Sequence, residues 1–256
     1  MSFEGLASVL KITTDEKLTI SEMTDRLNKG NVTHKPPSYS PTGYIQGDAP
    51  GNTYGGEYHV VDDENVFQFR DYCYYGTPIQ KVHAFTSVLK RVGISAFEGC
   101  TKLKEVTFLR NADEDPIADV RVLEEVGDRA FFGAGSDISV GYINLLANAV
   151  QSRVLERIGV SAFENTGHSN AGYYSLWVGP VSGNGAPIRI EARAFANSFL
   201  SDLYLRRNVE YIAPDALLGC TALKDVHISF TQSSSAATNY PWGADTSITT
   251  FHWEEQ

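Results

Sequence analysis

No stretch of the chain approaches the roughly 18 consecutive apolar residues that a membrane-spanning helix needs. No basic segment followed by an apolar run opens it either, so neither an export signal nor an anchor is expected. Cysteine is scarce, and the three present, Cys73, Cys100 and Cys220, supply no disulfide framework. Also missing are G-x-S-x-G, H-E-x-x-H, C-x-x-C and a Walker loop, the spacings that set up a nucleophile, a zinc pair, a redox dithiol or a phosphate cradle. Basic residues are outnumbered, 21 Lys and Arg against 31 Asp and Glu, a formal charge of −10. That balance disfavours a nucleic-acid partner, because phosphate binding needs clustered Lys and Arg. The densest acidic run, Asp113-Glu114-Asp115-Pro116 with Asp119, lacks the Gly and ligand spacing of an EF-hand loop and reads as a solvated surface. The expectation is a protein that is not an enzyme, with no cofactor, no metal site and no catalytic residue.

What the chain has is repetition. Residues 92–108 read V-G-I-S-A-F-E-G-C-T-K-L-K-E-V-T-F, and residues 212–228 read I-A-P-D-A-L-L-G-C-T-A-L-K-D-V-H-I, 120 positions later. Looser copies begin at Val126, Ile158 and Ile190. The alanines Ala96, Ala130, Ala162, Ala194 and Ala216 recur at steps of 34, 32, 32 and 22, a 22-residue unit carrying insertions of 10 to 12. Each block precedes an apolar triplet spaced +3 and +2: Leu103/Val106/Phe108, Val140/Ile143/Leu145, Tyr173/Leu176/Val178, Leu200/Leu203/Leu205 and Leu223/Val226/Ile228. A degenerate first copy has Ile79/Val82/Ala84, with Cys73-Tyr74 where Ala-Phe should stand. This L-x-x-L-x-L spacing is that of a leucine-rich repeat, whose short strand sends alternate residues into the core. Such units stack into a solenoid. The spacing therefore predicts a mainly β solenoid of about six units. The alanines and the phenylalanines Phe97, Phe131, Phe163 and Phe195 should form its core. Cys100 and Cys220 hold equivalent positions and should point inward, and all three cysteines read as small buried hydrophobes.

The I-G-x-x-A-F-x-x-C-x-x-L-x-x-V form resembles the BspA-like leucine-rich repeat family over roughly residues 66 to 253. The resemblance implies a curved solenoid of the kind carried by bacterial and protist surface proteins and by bacteriophage tail or other virion proteins. The ending Tyr240-Pro241-Trp242-Gly243-Ala244-Asp245-Thr246-Ser247-Ile248 is similar to the P-W-G closing segment of phage-borne members. Repeats two to four depart from the pattern, lacking the Cys and carrying long insertions.

Before the repeats, Thr19-Ile20-Ser21-Glu22 forms a capping box, and Ile20, Met23 and Leu27 share one face, which predicts an N-terminal helix ending at Gly30. Residues 31 to 58 turn rich in Pro, Gly and Tyr, which forbids regular structure. They form either a flexible linker or a docking arm anchored by Tyr39, Tyr44, Tyr54 and Tyr58. The expected domains are residues 1–58, helix and arm, and 59–256, the repeat domain. Val60-Val61 and Val66–Phe69 are expected as first strands and N-terminal cap, and Pro241-Trp242 with residues 248–253 as the closing end. Gln232 to Thr238 is expected to be no more than a surface loop.

Strand residues between core positions face the opposite side. The outward pairs are Lys81/His83, Glu105/Thr107, Tyr142/Asn144, Ser175/Trp177, Asp202/Tyr204 and Asp225/His227. Stacking sets Trp177 beside Tyr204, with Tyr142 and His227 nearby, a candidate partner-binding face. Against it stands the alternative that insertions such as 179–187 fold over and bury Trp177. The expected function is a non-catalytic structural or interaction protein of a bacteriophage particle, located in the virion. It would dock on other virion proteins through its N-terminal arm and display the repeats, as part of a multi-subunit assembly. The alternative is a bacterial cell-surface adhesion module binding a host protein or glycan.

Overall fold

A computed structural model describes residues 58–61, 68–69, 71–85, 89–109, 122–138, 143–146, 149–169, 175–180 and 185–254. The expected N-terminal helix, Tyr39, Tyr44 and Tyr54 of the arm, and the acidic run at 113–119 lie outside the described residues.

Three parallel sheets wind through the described chain. One holds β1 (Tyr58–Val61), β3 (Lys81–Phe85), β5 (Glu105–Leu109) and β7 (Asn144–Leu145). A second, of six strands, runs β2 (Gln68–Phe69), β4 (Arg91–Val92), β6 (Glu125–Val126), β8 (Arg157–Ile158), β10 (Ile188–Ile190) and β12 (Val209–Ile212). The third holds β9 (Ser175–Val178), β11 (Asp202–Leu205), β13 (Asp225–Ile228) and β14 (Thr250–Trp253). Every pairing is between consecutive turns of one coil, a solenoid of about six turns. Tyr58, the last of the arm tyrosines, begins β1 opposite Lys81.

The predicted core forms as the repeat requires. Ala96, Ala130, Ala162, Ala194 and Ala216 are fully buried. Between them Tyr74, Phe97, Phe131, Phe163 and Phe195 stack with ring centroids 4.9, 5.0, 5.1 and 5.5 Å apart. Those distances track the spacing of neighbouring parallel strands, about 4.8 Å, so one repeat position generates the whole column. The turn in front of the column brings backbones together. A Cβ on Gly159 would lie 2.6 Å from the Asp128 nitrogen and 2.7 Å from the Gly127 carbonyl carbon, so only glycine fits. Cys100 and Cys220 lie in this interior as small hydrogen-bonding side chains. Cys100 Sγ donates to the Tyr74 carbonyl at 2.9 Å and Cys220 Sγ to the Phe195 carbonyl at 3.0 Å. Burial pushes the Cys100 thiol up to about 11 and raises Cys73 and Cys220 as well, so all three stay protonated and unreactive at neutral pH. Cys73 is less enclosed than expected, only partly buried.

Charges decorate the outer side in register. Arg91 Nε meets Glu125 at 3.1 Å, and Arg157 Nη1 meets the same carboxylate at 2.8 Å. Two further pairs tie neighbouring turns. Arg129 donates to Glu98 from Nε at 2.9 Å and Nη2 at 2.6 Å, and Arg193 Nε reaches Glu164 at 3.1 Å. The bonds from Arg129 hold the Glu98 carboxyl below the ordinary glutamate range. At Glu164, burial pushes the other way, but bonds from Arg193 and Ser161 outweigh it and the net direction is again down. A depressed folded pKa contributes stability that is present above the unfolded pKa and lost as pH falls through the folded one. The Glu98→Gln/Glu164→Gln variant should therefore lose less melting temperature than the parent as pH drops below about 4.3, the free glutamate value. Parallel melting-versus-pH curves for the two proteins would remove these carboxylates from the acid response.

Two expectations are corrected. In repeat two the register is shifted by two residues: Asn144 pairs with Glu105 and Leu145 with Val106, where the triplet spacing predicted Asn144 opposite Thr107. The apolar pattern misled because Ile143 and Leu145 are both buried. Ile143 instead covers Gly135 and Gly167, where an added Cβ would come within 2.8 and 3.4 Å of its Cδ1. After β7 the chain turns at Leu146, φ 59°, into a 3-10 turn, Ala149–Gln151, and the Val150 carbonyl accepts the Gly179 amide at 2.9 Å. Packing of this turn against β9 accompanies the break between the first and third sheets. The second correction concerns residues 232–238. Ser235–Asn239 forms a 3-10 helix with Ala236 fully buried, because Ser235 Oγ and Asn239 Nδ2 donate to the Glu210 and Ile212 carbonyls of β12, each at 2.8 Å.

Candidate interaction face

The third sheet turns one row of side chains inward and the other outward. Leu176, Val178, Leu203, Leu205, Val226 and Ile228 fill the core. The alternate positions point away, and the register sets Trp177 opposite Tyr204, Tyr204 opposite His227, and His227 opposite His252. The four rings form a second column on the outside of the sheet. Their centroids are 4.7, 4.4 and 4.6 Å apart, with interplanar angles of 13°, 4° and 14°. Strand spacing again dictates the stacking.

Because the rings face one another, the inner members cannot offer ring faces to a ligand. Stacked this way, the column presents ring edges rather than ring faces along its length. Ring edges carry the positive part of the quadrupole, so this surface suits acceptors and edge-to-face aromatic contacts better than a flat sugar. Beside it runs a polar row, Ser175, Asp202, Asp225 and Thr250. Ser175 Oγ donates to Asp202 at 3.1 Å and the Ser201 hydroxyl bonds the same carboxylate oxygen. His252 Nε2 lies 2.6 Å from Asp225 Oδ1, which ties the end of the ring column to the polar row.

Of the sequence-predicted face, Trp177, Tyr204 and His227 come together as a partly buried set. Trp177 keeps part of its surface in solvent and its ring packs on Tyr204, so what is described of its insertion does not bury it fully. Tyr142 lies outside the described residues, and the shifted register of β7, together with the sheet break, separates its repeat from the column. The residue that sequence reasoning missed is His252. Its signal is in the sequence, since Phe251-His252-Trp253 repeats the apolar–His–apolar order of Val226-His227-Ile228, within a segment expected only to close the end of the repeats.

A family model described as the BspA type leucine rich repeat region matches residues 67–140 and 185–253, in 6 copies. Among solved structures, a T. pallidum leucine rich repeat protein is 20% identical, covering 73% of this chain and 76% of its own, with a TM-score of 0.45. A leucine rich cell surface protein of Faecalibacterium prausnitzii is 20% identical over 65% of this chain and 44% of its own, TM-score 0.37. A leucine-rich repeat protein from Bacteroides ovatus is 12% identical over 76% of this chain and 60% of its own, TM-score 0.27. No curated protein matches.

Proposed function

Because the chain belongs to the BspA type leucine rich repeat family, we propose that it is a non-catalytic interaction module that holds a partner protein on the outward face of β9, β11, β13 and β14. The observation that carries this reading is the in-register column of Trp177, Tyr204, His227 and His252, four aromatic side chains on the side of the sheet away from a core that is already filled. Binding energy at such faces concentrates in a few aromatic anchors. Trp177→Ala should weaken partner capture by about 2 kcal/mol or more while leaving the melting temperature nearly unchanged. The check is cross-linking capture with the purified chain and its variant, from dissociated bacteriophage particles and from host-cell surface extract. A large stability loss with unchanged capture would move the partner surface to the insertions or to residues 1–58.

For the setting we propose a bacteriophage particle, with residues 1–58 docking on other virion proteins through Tyr39, Tyr44, Tyr54 and Tyr58. The support is the likeness of Tyr240–Ile248 to the closing segment of phage-borne relatives. Capture from host-cell surface alone would assign the chain to cell-surface adhesion instead.

A further inference from the structure

The end of the third sheet is built differently from the end of the second. Both edges belong to the last described turns of the coil. On β12, the outward carbonyls of Glu210 and Ile212 are closed by Ser235 and Asn239. On β14, Thr250 N bonds Lys224 O at 2.7 Å and Glu254 N bonds Ile228 O at 2.9 Å, both toward β13. Parallel pairing alternates, so Thr250, His252 and Glu254 spend their backbone groups on β13, and the N–H and C=O of Phe251 and Trp253 point out of the sheet. Among the described residues no hydrogen bond reaches those four groups. Such an edge is a template for another strand.

The side chains on this edge say which strand. On the inner side, Phe251 and Trp253 are only partly buried. They pack on Tyr240, itself 43% exposed, at 4.9 and 5.6 Å between centroids. On the outer side, Thr250, His252 and Glu254 are exposed, and the ring column stops at His252 with no further ring beyond it among the described residues. Carboxylates flank that ring, Asp225 beside Thr250 and Glu254 two residues on. A second copy of the chain pairing here edge to edge would bring Glu254 and Asp225 of both copies together, which like-charge repulsion opposes.

We propose that β14 receives, as an added strand, an extended segment of a partner protein with the pattern basic–apolar–ring–apolar–basic. The central Tyr, Trp or His stacks on the open face of His252 and continues the column. The apolar residues on either side cover Phe251 and Trp253. The outer Lys or Arg residues meet Asp225 and Glu254. The pattern is symmetric, so it reads the same for parallel or antiparallel addition. This site uses the strand edge and shares only His252 with the sheet face.

The test uses the full chain and a labelled peptide containing Lys-Val-Tyr-Val-Lys, followed by fluorescence anisotropy. Two analogues are N-methylated, one at both valines and one at the tyrosine. A bound strand uses alternate amides, so one analogue should lose at least tenfold in affinity while the other retains it. Glu254→Lys, at an exposed position, should keep the parent's melting temperature, weaken the Lys peptide at least tenfold, and favour a Glu-Val-Tyr-Val-Glu peptide instead. Equal binding of both methylated analogues, indifference to Glu254→Lys, or a stable dimer of the chain that excludes the peptide would each overturn the proposal.

Discussion

Phe163→Ala should lower the free energy of unfolding by about 3–5 kcal/mol, the range for truncating a fully buried Phe. The ring is completely enclosed and lies between Phe131 at 5.1 Å and Phe195 at 5.5 Å, so its loss removes two aromatic stacking contacts as well as buried area. The alanines around it are fixed by turn-to-turn backbone bonds, such as Phe163 N to the Ala194 carbonyl at 2.7 Å, and cannot collapse into the space. In a solenoid each turn touches only its neighbours, so a defect in a middle turn uncouples the halves on either side. Urea denaturation should show the lost stability together with a broadened transition. A loss below about 1 kcal/mol would mean that the column does not carry the core.

Trp242→Ala should cost a similar amount, about 3–5 kcal/mol, but at one end of the coil. Trp242 is the largest fully buried side chain, and its Nε1–H donates to the Ala236 carbonyl at 2.8 Å. Its own carbonyl accepts the Leu217 amide at 2.8 Å, the bond that Ala216 accepts from Phe195 one turn earlier. The closing segment is therefore a degenerate further turn, with Trp242 at the alanine position. Removing the indole frees the 3-10 helix Ser235–Asn239 and with it the closed edge of β12. Trp242→Phe keeps most of the bulk and leaves the Ala236 carbonyl unpaired, for a loss of about 1–3 kcal/mol. Hydrogen exchange would distinguish this from the Phe163 case, since amide protection should fall in residues 205–254 and persist around Phe97 and Phe131. Uniform loss of protection would show that the end turn is not a separate closing unit.

How much was legible in advance follows from these residues. The column Phe97, Phe131, Phe163, Phe195 and the buried alanines could be read directly, because stacked repeats place equal positions at equal depth and the same chemistry must recur there. Tyr74, in the degenerate first copy where Cys73-Tyr74 replaces Ala-Phe, joins the column only in the structure, stacked on Phe97. Trp177, Tyr204 and His227 followed from strand alternation alone. Reading failed where an element answered to a neighbouring segment. The register of β7 depends on which of two buried residues, Ile143 or Leu145, the adjacent turn can accommodate, and Gly135 and Gly167 decide that from elsewhere in the chain. Ser235 and Asn239 look like loop residues until the carbonyls of β12 are set beside them.

By itself, then, the sequence determined the solenoid, its approximate number of turns, its core columns and three members of the outer ring column, because these follow from periodicity and alternation. Only the tertiary structure decided that the strands divide into two separate sheets on the ring side, that the column runs on to His252, and that, among the described residues, the edge of β12 is closed while that of β14 is open. The physical reason is that a repeat sets the spacing between turns, whereas a break, an end or an edge depends on what one particular turn finds beside it in space.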